Sequence, residues 1–166
     1  MHQQADDIAG VYRQHGHVVL RRARQILGNE DEAFDVVQEV FLSLVARPEQ
    51  FAGRSSVIAW LYSATTHLCL NRLRNRRNRA RLLDLHGTPL HAESDPSNME
   101  IRAVIQQKLA TLPDELARIA VYYYLDEMTH EEIARVMGCS RRHIGNLIQR
   151  LGKRLMRAER NKCPTI

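Results

Sequence analysis

The residues best suited to chemistry lie close together near the C-terminal end: Arg141, Arg142, His143, Asn146, Gln149, Arg150, Lys153 and Arg154. Guanidinium and amide groups can each make paired hydrogen bonds to base edges, and ammonium and guanidinium groups hold phosphates. Their chemistry is therefore recognition of a nucleic acid. The element that must carry them is a helix, because Ile144, Leu147, Ile148, Leu151 and Leu155 recur between them at three- and four-residue spacing. Burying that stripe turns the polar set outward. A shorter helix precedes it. Thr129 and Glu132 form a capping-box pattern, and Ile133, Val136 and Met137 share one face. Gly138 is positioned for a left-handed helix end, and Ser140 caps the second helix after the turn Gly138-Cys139-Ser140. Two short helices joined by a tight turn, the second cationic on one side, match the needs of major-groove reading. An ordinary helical hairpin with a solvated basic face is the simpler alternative. The cap, the glycine turn and the one-sided polar face together favour DNA.

A second set lies upstream. Trp60, His67, Asn71 and Arg74 fall on one stripe of a helix expected over about Val57 to Arg77. An aromatic ring followed by imidazole, amide and guanidinium groups suits stacking on an exposed base. A lone tryptophan is more often core, but the run Arg72, Arg74, Arg76, Arg77, Arg79 and Arg81, with no acid among them, strengthens the functional reading. Ile58, Leu61, Tyr62, Thr65, Leu68 and Leu73 supply the inward face. A loop, Phe51 to Ser56, precedes this helix and ends in serines able to cap it.

The N-terminal periodicity predicts a helix from about Ala5 to Leu27, stopped by Gly28. Asn29 caps the next helix, whose first turn holds Glu30, Asp31 and Glu32, where the helix dipole favours negative charge. Val36, Val37, Val40, Phe41 and Leu44 form its buried stripe, while Asp35, Gln38, Glu39 and Ser43 point elsewhere. By charge alone, those acids read as a solvated face.

From Leu83 to Asn98 the periodicity lapses around Gly87, Pro89 and Pro96. His86 and His91 there lack the companions a metal site needs. Beyond it, Ile101, Val104, Ile105 and Leu109 form the next stripe. Pro113 suits the first position of a further helix, with Leu116, Ile119, Ala120 and Tyr123 inward. Tyr122, Tyr123 and Tyr124 are adjacent and so diverge on a helix, which favours packing for most of them. No strand pattern occurs. The expected fold is all-α, two small helical domains joined by a flexible linker, divided as 1–81, 82–98 and 99–166, the last a helix-turn-helix.

Twenty-four lysines and arginines against 19 acids leave a net charge of +5, which suits a polyanionic partner. The distribution is uneven. Acids concentrate between Glu30 and Glu49, and bases dominate Arg72–Arg81 and the segment from Arg141 onward, so two kinds of surface are expected. Cys69, Cys139 and Cys163 form no metal or redox spacing and read as reduced thiols of a cytoplasmic protein. No apolar run reaches membrane-spanning length, and MHQQADD is no signal peptide. No cofactor and no membrane insertion are expected.

The order of these parts carries a resemblance. DEAFDVVQEVFLSL, then FAGRSS, AWLYSATTHLCLNRLRNRR, a linker, and LPDELARIAVYYYLDEMTHEEIARVMGCSRRHIGNLIQRLGKRL resemble a bacterial sigma factor of the extracytoplasmic-function group, over about Val11 to Arg157. The resemblance implies a non-enzymatic, alternative sigma factor that binds core RNA polymerase and directs promoter-specific initiation. It implies that Asp35, Gln38, Glu39 and Phe41 dock on the clamp helices of the polymerase β′ subunit, against the solvated-face reading, with the β subunit as a further contact. It assigns Gly53, Arg54, Ser55, Ser56, Trp60, His67 and Asn71 to opening and reading the −10 element. The arginines from Arg72 to Arg81, among them Arg72, Arg74, Arg76 and Arg77, would hold nearby phosphates. The −35 element would fall to Arg141, Arg142, His143, Asn146, Gln149, Arg150, Lys153 and Arg154. An anti-sigma factor covering both domains is the implied regulator. His67 stands where the family often has asparagine, and Gly145 and Leu147 stand where many members have arginine. Each helical glycine, Gly145 and Gly152, costs roughly 1 kcal/mol relative to alanine.

Two other functions compete. A stand-alone helix-turn-helix regulator explains Thr129–Arg157 but leaves the first half idle. A nuclease-type enzyme needs a carboxylate or His/Asp set on the basic half, and the sequence offers none.

Overall fold

The computed structural model describes residues 2–46, 56–84 and 96–160, and every regular element among them is helical. In order they are α1 (His2–Leu27), α2 (Glu30–Ala46), α3 (Val57–Asp84), α4 (Pro96–Thr111), α5 (Asp114–Ala120), a π-helical turn (Val121–Leu125), α6 (His130–Met137) and α7 (Arg141–Arg160). The all-α expectation holds for these residues. The chain divides into two compact units, Met1–Leu112 and Pro113–Ile166.

In the first unit the turn from α1 to α2 is set by two residues. Gly28 ends α1 at φ +65, and a Cβ there would come within 2.7 Å of Arg102 Cδ. Asn29 Oδ1 then accepts the Glu32 N–H at 2.9 Å, satisfying one orphan donor of α2. The helices bury Val19, Ala23, Ile26 and Leu27 against Val36, Val37, Val40 and Leu44, with Leu61, Leu70 and Leu73 of α3 completing the core. Each large side chain removed from water contributes roughly 1.5–3 kcal/mol. A cation lies inside this core. Arg22 is 4% exposed and donates to Thr66 Oγ1 from Nε at 3.0 Å and Nη2 at 2.8 Å. Its guanidinium sits 4.3 Å from the Tyr62 ring centre. Thr66 in turn donates to the Tyr62 carbonyl at 2.7 Å.

One expectation changes here. α3 continues past Arg77 to Asp84. α4 lies in the first compact unit, and Ile101, Val104 and Ile105, which share a stripe in the sequence, are 64%, 46% and 42% exposed. The reason is that the C-terminal end of α4 makes the attachment. Gln106 Nε2 donates to the Ile26 carbonyl at 3.1 Å, Arg77 Nη1 to the Ala110 carbonyl at 3.5 Å, and Leu109 and Ala110 are buried.

The second unit starts at Pro113, whose ψ of 148 is extended, so α5 begins one residue later than expected. Its core is Leu116, Ala117, Ile119, Val121, Tyr122, Ile133, Ile144, Leu147 and Leu151. The Asp126 N–H bonds the Val121 carbonyl at 3.1 Å, five residues back. That wide turn breaks the 3.6-residue period that predicts Tyr123 inward. Tyr122 is fully buried instead, and Tyr124 is 53% exposed. The capping signals of the two short helices form as expected. The Thr129 N–H donates to Glu132 Oε2 at 2.8 Å, and the Glu132 N–H to Thr129 Oγ1 at 3.3 Å. Gly138 is left-handed (φ 66, ψ 36), and Ser140 Oγ accepts the His143 N–H at 3.2 Å.

Candidate functional site

On α7 the buried stripe and the polar face separate as the spacing predicts. Ile144, Leu147 and Leu151 have no solvent exposure, while Arg141, Arg142, His143, Asn146, Gln149, Arg150, Lys153 and Arg154 are all exposed. Hydrophobic burial on one side thus aims eight polar side chains outward from a rigid helix. Three of them meet acids of the same unit. His143 Nε2 lies 3.1 Å from Glu115 Oε1 and Arg150 Nη1 is 4.0 Å from Glu115 Oε2, while Arg141 is 3.6 Å from Glu131. Glu115 is absent from the sequence-derived site. It stands in the first turn of α5, 28 residues from His143 in the chain.

On α3, His67, Asn71 and Arg74 do form one connected stripe. Asn71 Nδ2 is 3.1 Å from His67 Nε2, and Arg74 Nη1 donates to Asn71 Oδ1 at 3.1 Å. Trp60 is 6% exposed, so its indole packs inward and offers little face for stacking. Ser56 precedes α3, its carbonyl accepting the Trp60 N–H at 3.2 Å. Gly53, Arg54 and Ser55 lie outside the described residues, as do His86, His91 and Cys163.

On α2, Asp35, Gln38 and Glu39 are exposed, whereas Phe41 is 7% exposed and meets Tyr12 edge to face at 4.9 Å. The acids also bind part of the arginine run. Arg72 reaches Glu39 at 3.0 Å and Asp35 at 3.5 Å, and Arg76 reaches Glu32 at 2.6 Å. Burial works to lower the Arg72 pKa, but the hydrogen bond and charge of Glu39, with Asp35, outweigh it and raise the value. Beside the acids, α2 exposes Leu42 and Val45, two apolar side chains that the sequence does not single out.

At both described thiols the surroundings disfavour the thiolate. Burial pushes Cys69 up to about 12, and burial followed by the Glu115 charge raises Cys139. Among the described residues no group of three or more His, Cys, Asp or Glu is disposed to hold a metal ion. No helix among them is long and apolar enough to cross a membrane.

Comparison with known proteins covers both parts of the chain that carry these faces. The Sigma-70 region 2 family model matches residues 11–79, and the Sigma-70, region 4 model matches residues 102–158. The chain belongs to the sigma-70 family, in its extracytoplasmic-function (ECF) group. It is 26% identical to the ECF RNA polymerase sigma factor SigW of Bacillus subtilis over 79% of this chain and 75% of that protein. It is 29% identical to the ECF RNA polymerase sigma-E factor of Escherichia coli K12, over 63% of this chain and 62% of that protein. Among solved structures, CnrH in complex with the cytosolic domain of CnrY aligns over 94% of this chain and 89% of its own, at 18% identity and a TM-score of 0.57. The sigma factor RpoE in complex with the anti-sigma factor NepR, from Bartonella quintana, aligns over 91% and 95%, at 18% identity and a TM-score of 0.55. At that identity these two likenesses bear on the fold alone.

Proposed function

We infer that this protein is an alternative sigma factor that binds core RNA polymerase and directs promoter-specific transcription initiation. The observation that carries the reading is the occurrence of both sigma regions in order on one chain, at residues 11–79 and 102–158. A stand-alone helix-turn-helix regulator would leave residues 11–79 without a role. The protein itself performs no catalysis and lends sequence recognition to the polymerase.

Asp35, Gln38 and Glu39 form the docking face for the β′ clamp helices. Phe41 supports it from the core, and Leu42 and Val45 extend it with apolar surface. His67, Asn71 and Arg74, together with Gly53, Arg54, Ser55 and Ser56, read and open the −10 element. Trp60, buried beneath them, orients the helix more than it stacks. Among the run's arginines, Arg79 and Arg81 hold phosphates directly, and Arg72, Arg74, Arg76 and Arg77 do so once their protein partners let go. The exposed face of α7 reads the −35 element. The functional division runs 1–81, 82–98 and 99–166, α4 acting with the second half because the region 4 match begins at residue 102. An anti-sigma factor is the proposed regulator, since a structural relative is seen with one.

Run-off transcription with purified core polymerase tests the reading, followed by mapping of the start sites selected. The chain should convert core enzyme from random to promoter-directed initiation. A chain that bound DNA yet never associated with core polymerase would refute the assignment. Arg150→Ala should weaken recognition of the −35 element, and unchanged recognition across salt concentrations would remove α7 from the interface.

A further inference from the structure

Glu115 lies on α5, outside the helix that faces DNA, yet its carboxylate engages that helix twice. Oε1 is 3.1 Å from His143 Nε2, and Oε2 is 4.0 Å from Arg150 Nη1. His143 sits in the first turn of α7, anchored there by its backbone bond to Ser140. We propose that Glu115 is a positioning residue for promoter specificity, fixing which edge of the His143 ring is presented to the −35 bases. The inference rests on the reading of α7 as the −35 recognition helix.

The physical reason is a matter of tautomers. An ionised carboxylate only accepts hydrogen bonds, so the Nε2 that faces Glu115 carries the proton. Nδ1 is then the ring's remaining polar atom. In the neutral ring Nδ1 accepts, which suits the exocyclic amino group of cytosine or adenine in the major groove. Without Glu115 the ring can rotate and exchange tautomers, so either nitrogen can donate or accept. Base preference at that position then relaxes. Arg150, 4.0 Å from the other carboxylate oxygen, is held more loosely and retains its reach to phosphate. Glu115 thus spends its stronger contact on the base reader.

The experiment uses holoenzyme assembled from the full chain and core polymerase, on a promoter library randomised through the −35 element. Wild-type, Glu115→Ala, Glu115→Gln, His143→Ala and the double variant Glu115→Ala/His143→Ala are compared by sequencing the selected promoters. Glu115→Ala should relax preference at one −35 position about tenfold, within the range one good base contact supplies. Glu115→Gln, whose amide can donate as well as accept and so no longer fixes the tautomer, should lose most of that preference although its shape is kept. In the His143→Ala background, Glu115→Ala should add nothing. A uniform change in use of all promoters after Glu115→Ala would overturn the proposal, as would an undiminished effect without His143. Selection by the wild-type holoenzyme with no −35 preference would fail at an earlier point: it would remove α7 as the reading element, and this inference with it, before any variant is considered. Matching helical circular dichroism of the variants confirms that the fold survives.

Discussion

Arg72 on α3 donates to Glu39 on α2 at 3.0 Å, and the same guanidinium lies 3.5 Å from Asp35. The acids proposed to dock on polymerase and an arginine proposed to serve DNA therefore form one cluster. Polymerase groups that compete for Glu39 and Asp35 would free the Arg72 guanidinium for phosphate. Docking and DNA contact would then be coupled through a single side chain.

A charge swap separates docking from mere structure. Asp35→Lys/Glu39→Lys should weaken core polymerase binding about tenfold or more. Arg72→Glu/Glu39→Arg restores the ion pair with its sign reversed, so thermal stability should stay within about 1 kcal/mol of wild type, as befits a partly exposed pair. Polymerase affinity should still fall. A swapped variant that bound polymerase normally would show that Glu39 has only a structural role.

The buried cation of the first unit is a stability determinant. Arg22→Ala removes a guanidinium that fills core space between Thr66 and Tyr62, and should cost about 2–4 kcal/mol. Denaturant unfolding followed by helical circular dichroism measures it. A loss below about 0.5 kcal/mol would mean that the site is relaxed and wet.

Glu127, just before the helix-turn-helix, has φ 52. A left-handed backbone costs a residue with a Cβ roughly 1–2 kcal/mol, while glycine adds about 0.5–1 kcal/mol of unfolded-state entropy. Glu127→Gly should therefore raise stability by up to about 1 kcal/mol, seen as a modest rise in Tm. A fall in Tm would indicate that the Glu127 side chain makes a compensating contact.

Acid should loosen the start of α6. The hydrogen bonds from the Thr129 hydroxyl and backbone N–H hold the Glu132 carboxyl below its ordinary value. A lowered folded pKa contributes stability that is fully present above the unfolded value, near 4.3 for glutamate. It is lost as pH falls through the folded value. Between pH of about 5 and 3, Glu132→Gln should show a shallower decline in stability than wild type. Parallel pH curves for the two proteins would remove the capping box as a source of acid sensitivity.

Cys69, fully buried and raised to about 12, should resist alkylation by iodoacetamide at about pH 8 until the first unit unfolds. Modification of the native protein at that residue, read by mass spectrometry, would reveal local opening of α3.

Much of this protein is decided locally and was therefore open to sequence reasoning. Gly28, Asn29, the Thr129–Glu132 pair, Gly138 and Ser140 act on backbone groups within a few residues of themselves, so their roles follow from spacing. The same is true of α7, where Ile144, Leu147 and Leu151 must share a face and thereby dictate which residues look outward. The all-α class and the separate acidic and basic segments follow from the same local rules. Long-range partners decided the rest. Nothing near Arg22 in the chain signals a buried cation, because Thr66 is 44 residues away. Trp60 could belong to surface or core until neighbouring helices covered it. Arg72 looked like one arginine in a run until α2 brought Glu39 beside it, and α4 kept Ile101, Val104 and Ile105 exposed because its other end makes the attachment. Helical period specifies a face, but only the packing of helices against one another determines what that face meets.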